Sequence, residues 1–157
     1  MITVLIYNNS TNRIERYYKN LTDPMPYTSY RWLTVGEFRG SSKSSVVWSD
    51  KRFMQTFNSF RSYYGSPIPV GYAFKRIWEG GHGQQSQHYA GGAFDTGHIL
   101  SAAQRRVLWN SVKSFGRWSY VEPLSLTPTW VHFDKRLSPP ACAKGGYILV
   151  KYGSRGV

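Results

Sequence analysis

Three side chains of this 157-residue chain have the types and spacing that chemistry at a metal ion requires. His88 and Asp95 lie in the segment SQHYAGGAFD, and His132 lies in the segment WVHFD. On one unbroken strand His88 and Asp95 would face opposite sides of a sheet, roughly 23 Å apart. The pair Gly91–Gly92 lies between them, and glycine adopts backbone angles that other residues avoid. We therefore expect the chain to turn here and to bring His88 and Asp95 together.

The segment WVHFD alternates in the manner of a strand with one buried face. Val131 and Phe133 are expected to face a core, whereas Trp130, His132 and Asp134 face the other way. A strand is a rigid platform for a ligand. Because Asp134 shares the face of His132, we expect its carboxylate to orient the imidazole ring from behind.

Two imidazoles and one carboxylate, with one position left open, are typical of a catalytic zinc site. Zinc lowers the pKa of bound water towards about 7 and polarises a substrate carbonyl. The chain has one cysteine, Cys142, which excludes an internal disulfide and a cysteine-rich zinc finger. A metal site in this chain must therefore use histidine and carboxylate. His88, Asp95 and His132 are its candidate ligands, and the alternative is that the histidines are ordinary hydrogen-bonded residues of the core or surface.

Five residues of the first segment fit the pattern S-x-H-x-x-G-x-A-x-D: Ser86, His88, Gly91, Ala93 and Asp95. With WVHFD downstream, the chain resembles the zinc D-Ala-D-Ala carboxypeptidase/endopeptidase family, which cleaves peptidoglycan stem peptides and is related to lysostaphin-type and hedgehog-type folds. The resemblance covers roughly residues 30–136. It implies that the two histidines and the aspartate bind Zn²⁺, and that Ser86 lies close to the substrate.

The general base is where the sequence departs from that family. Many members place a glutamate three residues before the last histidine, where this chain has Thr129, and others place a histidine two residues before it, where this chain has Trp130. Our preferred base is Glu122, because a hairpin around SLTPT would bring it beside the WVHFD strand. Asp134 and His98 are the alternatives, and His98 is also a candidate to stabilise an oxyanion.

Substrate contacts are expected on the strand before the motif. Family members often have Ser-Gly-Tyr-Arg there, and Gly71 and Tyr72 fit that pattern, whereas the next residue is Ala73. Tyr72 is therefore a candidate substrate-binding residue. Lys75 and Arg76 are candidates to take the place of the arginine, and the alternative is that both are solvated surface cations. We place Arg76 with Tyr72 and Ser86 as substrate-binding residues. His82, in a glycine-rich segment, is expected to be a loop residue.

The elements that must position these residues are predicted from periodicity and caps. Two helices have clear ends: residues 50–64, with an apolar face every three or four positions and Gly65 after it, and a second helix that begins at Ser101 with Gln104 as its capping partner and stops at Gly116. Strands are predicted over 2–8, 13–19 and 67–74, with two more within 118–134, and a loop over 79–92. This irregular alternation predicts an α+β fold with a small antiparallel sheet and helices packed on one side, similar to the hedgehog and DD-peptidase folds.

We expect a catalytic domain over residues 1–140, in which residues 1–28 form an N-terminal hairpin extension. Residues 141–157 would be a linker that ends in YGSRGV. That ending resembles the start of a peptidoglycan-binding domain.

The charge of the chain predicts its partners. Twenty Lys and Arg against eight Asp and Glu give a net charge of +12, which implies a polyanionic neighbour such as nucleic acid, an anionic lipid surface or an anionic cell-wall polymer. No apolar run is long enough to span a membrane, and the start MITVLIYNN is typical of a strand rather than a signal peptide. We expect a monomer that acts outside the cell or in the cell wall, after release by a route such as lysis.

Two other functions remain open at this level. A cell-wall-binding pseudoenzyme would keep the fold without a working base, as the missing glutamate at position 129 suggests. A nucleic-acid-binding module would explain basic residues interleaved with Tyr and Trp, but the chain has no recognisable nucleic-acid motif and its basic residues are scattered. We therefore expect the partners to be peptidoglycan stem peptides and anionic wall, and not nucleic acid.

Overall fold

A computed structural model of the chain describes residues 1–76, 79 and 86–135. It contains seven strands and three α-helices over those residues, in the order β1 (Ile2–Asn8), β2 (Arg13–Lys19), α1 (Val35–Arg39), β3 (Val46–Asp50), α2 (Lys51–Tyr64), β4 (Val70–Tyr72), β5 (Ala93–Thr96), α3 (Ala102–Phe115), β6 (Tyr120–Val121) and β7 (Val131–Asp134). A short 3-10 helix, Gln87–Ala90, lies between β4 and β5. The α+β class is confirmed.

The N-terminal sheet has three strands in the order β2-β1-β3. β1 and β2 form an antiparallel hairpin in which Ile2 pairs with Lys19. β3 runs parallel to β1, with Thr3 opposite Val46. β1 is therefore the central strand, and its side chains Val4 and Ile6 are fully buried.

The second sheet has four antiparallel strands in the order β4-β5-β7-β6. Strands β5 and β7 form its centre, and both contain predicted metal ligands. Asp95 pairs directly with His132 across them. The hairpin predicted around SLTPT is confirmed, because β6 and β7 pair on either side of that turn.

Both long helices begin and end where the sequence predicts. The side chain of Asp50 accepts a hydrogen bond from the Arg52 amide at the start of α2, and Gly65 ends the helix in the left-handed conformation. Ser101 and Gln104 form a capping box at the start of α3, and Gly116 ends it. Because these signals are local, they fix the ends of a helix independently of its packing.

Aromatic rings fill the space between α2 and the second sheet. Phe53 stacks on Phe94 with 4.7 Å between ring centroids, and Phe60 packs edge-on against Phe133 at 5.7 Å. Each buried ring stabilises the fold by about 1.5–3 kcal/mol relative to an exposed one. The same buried cluster includes residues of both sheets, so the two sheets share one core.

Some elements differ from the sequence predictions. The strand predicted over 67–74 is limited to Val70–Tyr72, and the loop predicted over 79–92 contains the 3-10 helix. The connection that follows β2 contains α1 and β3, which the sequence pattern did not predict. His82, the proposed boundary at residues 140–141 and the YGSRGV ending lie outside the described residues. Within the described ranges, no helix has the length and hydropathy needed to cross a bilayer.

Candidate metal centre

The candidate ligands belong to one row of residues that crosses the second sheet. Tyr72 on β4 pairs with Asp95 on β5, and Asp95 pairs with His132 on β7. Residues that lie directly opposite in an antiparallel pair point to the same face of the sheet. The register therefore places these side chains side by side, on the face opposite the one that packs against α2.

His88 joins this row from the 3-10 helix. One ligating atom from each of His88, Asp95 and His132 lies within 4.8 Å of the others. The His132 Nδ1 atom lies 2.7 Å from Asp95 Oδ1, and the His88 Nε2 atom lies 3.3 Å from Asp95 Oδ2. Atoms about 2 Å from one ion are separated by such distances, so these three residues can hold a metal ion.

The orientation of His88 suits a metal ligand. Its Nδ1 atom lies 2.8 Å from the carbonyl oxygen of Ala73. A carbonyl only accepts, so Nδ1 carries the proton and donates it. Nε2, the nitrogen that faces Asp95, is then the one that can ligate a metal ion when it has no proton and donate to Asp95 when it has one. The Tyr72 ring packs at right angles to the imidazole, with 4.9 Å between ring centroids.

The carboxylate of Asp134 orients His132, as the sequence predicts. Nδ1 of His132 faces Asp95, and Nε2 lies 3.2 Å from Oδ2 of the fully buried Asp134. Asp134 therefore holds the nitrogen that faces away from the ligand cluster, as a supporting carboxylate behind a metal-binding histidine does.

Electrostatics in the cluster favour ionised carboxylate beside charged imidazole. Burial alone would lower the pKa of His132, but hydrogen bonds to Asp134 and Asp95 raise it to about 9. Burial alone would raise the pKa of Asp95, but hydrogen bonds from His132 and His88 lower it below its usual range. The cluster thus has negative charge that stabilises a cation, whether a proton or a metal ion.

The turn between His88 and Asp95 depends on Gly91. Its φ is +68°, and a Cβ atom there would lie 1.9 Å from the carbonyl oxygen of Trp48. Two hydrogen bonds attach the turn to β3: Ser49 Oγ donates to the Gly91 carbonyl over 2.6 Å, and Trp48 Nε1 donates to the Tyr89 carbonyl over 2.8 Å. The N-terminal sheet therefore fixes the position of the turn between these two candidate ligands.

A groove of about 320 Å³ opens beside Asp95, and its lining residues are Gly71, Tyr72, Asp95, His98, Thr129 and Trp130. The imidazole of His98 packs on the backbone of Gly71, where an added Cβ would lie 2.6 Å from Nδ1. Burial raises the pKa of Tyr72, with further increases from Tyr89, Glu79 and Asp95, so its hydroxyl stays protonated at neutral pH. The groove therefore reaches the ligand cluster at Asp95.

Glu122 lies directly after β6, next to His132. Its amide donates to the His132 carbonyl over 2.9 Å, and its own carbonyl accepts from Trp109 Nε1 over 2.9 Å. This continues the β6–β7 pairing by one residue, so the side chain of Glu122 is expected on the sheet face of His132. The Glu122 carboxylate is not one of the three clustered ligands.

Two predicted substrate residues have structural partners. Ser86 caps the 3-10 helix, where its hydroxyl accepts from the His88 amide over 3.3 Å. Arg76 forms an ion pair with Glu79 over 3.0 Å. A substrate role for Ser86 or Arg76 stays a prediction.

The sequence analysis did not assign three features of the site. These are the Ala73 carbonyl behind His88, the contact between Gly91 and β3, and the packing of His98 on Gly71. A glycine inside a strand often marks the close approach of another group, so Gly71 was the one available signal. The other two depend on contacts between distant parts of the chain.

Comparisons with known proteins found no match: no protein-family model, no curated protein and no solved structure is similar to this chain. The assignment of a function therefore depends on the residues and geometry of the site.

Proposed function

We propose that this chain is a zinc-dependent peptidoglycan peptidase that hydrolyses stem-peptide or cross-link amide bonds, as a DD-carboxypeptidase or an endopeptidase. One observation carries the proposal: His88, Asp95 and His132 converge on one point, and a groove opens at Asp95. The motif resemblance supplies the substrate class.

The donor set favours zinc over other common metals. Two imidazoles and one carboxylate with an open position are the ligands of catalytic zinc sites, whereas Mg²⁺ and Ca²⁺ prefer sites made of oxygen atoms. Both histidines have hydrogen-bond partners on the nitrogen that faces away from the cluster. When bound, zinc supplies Lewis acidity, which polarises the scissile carbonyl and makes water a stronger acid.

The residues of the chain then have separate roles. Glu122 accepts the proton of the attacking water and returns it to the leaving amine. His98, at the wall of the groove, donates a hydrogen bond to the developing oxyanion. Tyr72 and Trp130 position the peptide, with Ser86 and Arg76 further out, while Asp134 keeps the His132 ring in place.

The basic surface fits the setting that this reaction requires. A net charge of +12 attracts the chain to an anionic cell wall and speeds encounter at low ionic strength. We propose that the chain acts outside the cell or in the wall.

The test combines metal analysis with hydrolysis by the purified full chain. We expect about one zinc per chain, and new amino groups released from purified peptidoglycan or from a stem peptide that ends in D-Ala-D-Ala. His88→Ala should lose both the zinc and the activity while it keeps the far-ultraviolet circular dichroism of the parent. A parent chain that binds no zinc, or that cleaves none of these substrates when zinc-loaded, would contradict the proposal.

A second candidate is a wall-binding pseudoenzyme, favoured by the threonine at position 129 in place of the family glutamate. Glu122→Gln distinguishes the two. If Glu122 is the base, the variant keeps its zinc and loses about 10²–10⁴-fold in kcat. Glu37→Gln is the matched control, because glutamine also completes the capping box of α1. Zinc binding without measurable turnover in the parent would favour the pseudoenzyme.

A further inference from the structure

The two long helices carry positive charge without any negative charge of their own. Over Lys51–Tyr64 and Ala102–Phe115 there are six Lys and Arg residues and no Asp or Glu: Lys51, Arg52, Arg61, Arg105, Arg106 and Lys113. Arg117 follows Gly116, the residue that ends α3. In most surface helices the two signs alternate, so this distribution is unusual.

The eight Asp and Glu side chains lie outside these two helices, and most of them bond to partners within the fold. Asp95 and Asp134 contact His132 in the candidate metal centre, and Glu122 lies next to His132 on the neighbouring strand. The other five bond to partners within the fold, as helix caps, in turns or in hydrogen-bond clusters: Glu15, Asp23, Glu37, Asp50 and Glu79. Of these, Asp50 pairs with a helix cation, Arg52, over 2.7 Å. The remaining positive charge of the helices is therefore largely uncompensated.

A polar depression lies on the same side of the molecule. It has a volume of about 390 Å³ and is lined by Tyr27, Gln55, Asn58, Ser59 and Arg117. Lys51 extends over the ring of Tyr27, with its Nζ atom 5.5 Å from the centroid. The Tyr27 hydroxyl donates to Glu15 over 2.6 Å, so the groups that face a ligand are the amides of Gln55 and Asn58 and the hydroxyl of Ser59. With Lys51 and Arg117 beside them, they suit a ligand that has both hydroxyl groups and negative charge.

Lys135 and Arg52 add positive charge next to Arg117, at one side of this depression. The ammonium group of Lys135 donates to the backbone carbonyl of Arg117 over 2.7 Å. Burial lowers the pKa of Lys135, and the charges of Arg117 and Arg52 lower it further. Cations that repel one another in this way gain when an anion binds between them.

Helix α2 and the candidate metal centre are on opposite sides of the second sheet, and of the cations of α3 only Arg105 contacts the loops of the groove. Phe133 on β7 packs against Phe60 of α2, while its neighbour His132 points to the other face, into the metal cluster. A polymer bound along the helices would therefore leave the groove at Asp95 accessible.

We propose that the exposed surface of α2 and α3, with Arg117 and Lys135, binds a polyol-phosphate polymer of the kind found in anionic cell walls. Nucleic acid is less suited, because the aromatic rings on this side pack against one another or against a cation. Phe60 and Tyr63 contact Phe115, and Trp109 is covered by Lys113. Tyr63 is the one of these four rings that is more than half exposed, and a single exposed ring does not make the row of stacking platforms that single-strand binding uses. This inference is independent of the proposed peptidase activity.

The test measures binding of the purified full chain to soluble poly(glycerol phosphate) at several salt concentrations. The helix-surface variant combines Arg106→Gln, Lys113→Gln and Arg117→Gln. The control variant combines Arg13→Gln, Arg16→Gln and Lys43→Gln, which are exposed cations outside α2 and α3. Each variant changes the net charge from +12 to +9, since three positive charges are removed. Circular dichroism and thermal unfolding confirm that both variants fold.

We expect the helix-surface variant to raise Kd by about tenfold or more at low salt, and to reduce the slope of log Kd against log salt by about 2. The control variant should change Kd by less than about threefold, and His88→Ala should bind as the parent does, whether or not the chain is a peptidase. Equal weakening in both triple variants would overturn the proposal. Tighter binding to an oligothymidylate or to anionic vesicles, at equal phosphate concentration, would overturn the choice of partner.

Discussion

At the scale of single residues, the nitrogen of each histidine that faces away from the cluster matters as much as the ligating one. His88 donates to the Ala73 carbonyl, and His132 contacts the buried carboxylate of Asp134. Each contact fixes a ring before any metal arrives, so less orientational freedom is lost on binding. If the site binds zinc as proposed, its affinity for zinc should therefore depend on residues that do not touch the ion.

Asp134→Asn tests this dependence. The amide keeps the shape of the side chain but loses the charge that faces His132, so we expect zinc affinity to fall by about 10- to 100-fold. The measurement is competition with a chromophoric chelator at constant pH. Asp23→Asn is the control, because Asp23 accepts a hydrogen bond from the Asn20 amide in a turn. Equal affinities in the two variants would show that Asp134 does not support the ligand.

Gly91→Ala tests the turn that brings His88 to Asp95. A methyl group would overlap the Trp48 carbonyl oxygen, which is backbone and part of β3. We expect a loss of more than about 4 kcal/mol in the free energy of unfolding, measured in urea. Gly65→Ala is the matched control, since Gly65 also has a positive φ but no atom within 4 Å of the added methyl group. It should lose only about 1–2 kcal/mol, and similar losses in both variants would contradict the steric argument.

At the scale of elements, Arg105 of α3 connects both walls of the groove. Its guanidinium donates to three backbone carbonyls: those of Gly97 and Leu100, on either side of His98, and that of Pro128, next to Thr129. The two loops that form the groove are thus held by one side chain from a helix that packs behind them.

If the peptidase assignment is correct, Arg105→Gln should lower kcat/KM on stem peptides by about 10- to 100-fold, because small displacements of positioning groups are costly. Zinc affinity should change little, since no ligand touches Arg105. Arg106→Gln, the neighbouring exposed position, should have nearly the activity of the parent. A parallel loss of zinc and activity in Arg105→Gln would instead indicate a general loss of structure.

An element could be predicted when local residues determine its ends or faces, and not when it depends on pairing with a distant segment. Local capping residues determine the ends of α2 and α3. The alternation in WVHFD shows which side chains of β7 are buried in the core and which lie on the other face. β3 was missed because its pairing partner, β1, is about forty residues away in the chain and the pairing is parallel. The glycine turn and the alternation made the three residues candidate ligands, and the motif resemblance implied that they act together. The supports from Ala73 and Trp48 require the tertiary structure.

At the scale of the whole molecule, Glu79 connects two distant segments. Its carboxylate accepts from the Ser42 hydroxyl, the Lys43 amide and the Arg76 guanidinium. Burial alone would raise the pKa of Glu79, but hydrogen bonds from Arg76, Lys43 and Ser42 lower it from 4.5 to about 2. The carboxylate must therefore be ionised to hold these segments together.

The sign of the effect on stability follows from that pKa. A carboxyl group with a lower pKa in the folded state contributes stability above pH 4.5, and the contribution is lost as pH falls through about 2. Glu79→Gln should cost about 1–3 kcal/mol at pH 7, and the variant should lose less stability than the parent between pH 4.5 and pH 2. Urea unfolding at a series of pH values measures both. Parallel pH profiles for parent and variant would contradict this assignment.

The contact between Gly91 and β3 limits how far the chain can be shortened. The motif resemblance spans roughly residues 30–136, and a fragment cut to those limits would keep every proposed ligand. It would nevertheless remove β1, against which β3 is aligned, and β3 supplies the Trp48 and Ser49 groups that anchor the ligand turn. The smallest fragment that can be expected to hold an ion therefore includes the β1–β2 hairpin over the first nineteen residues. A fusion partner should be joined to the chain without removing this hairpin.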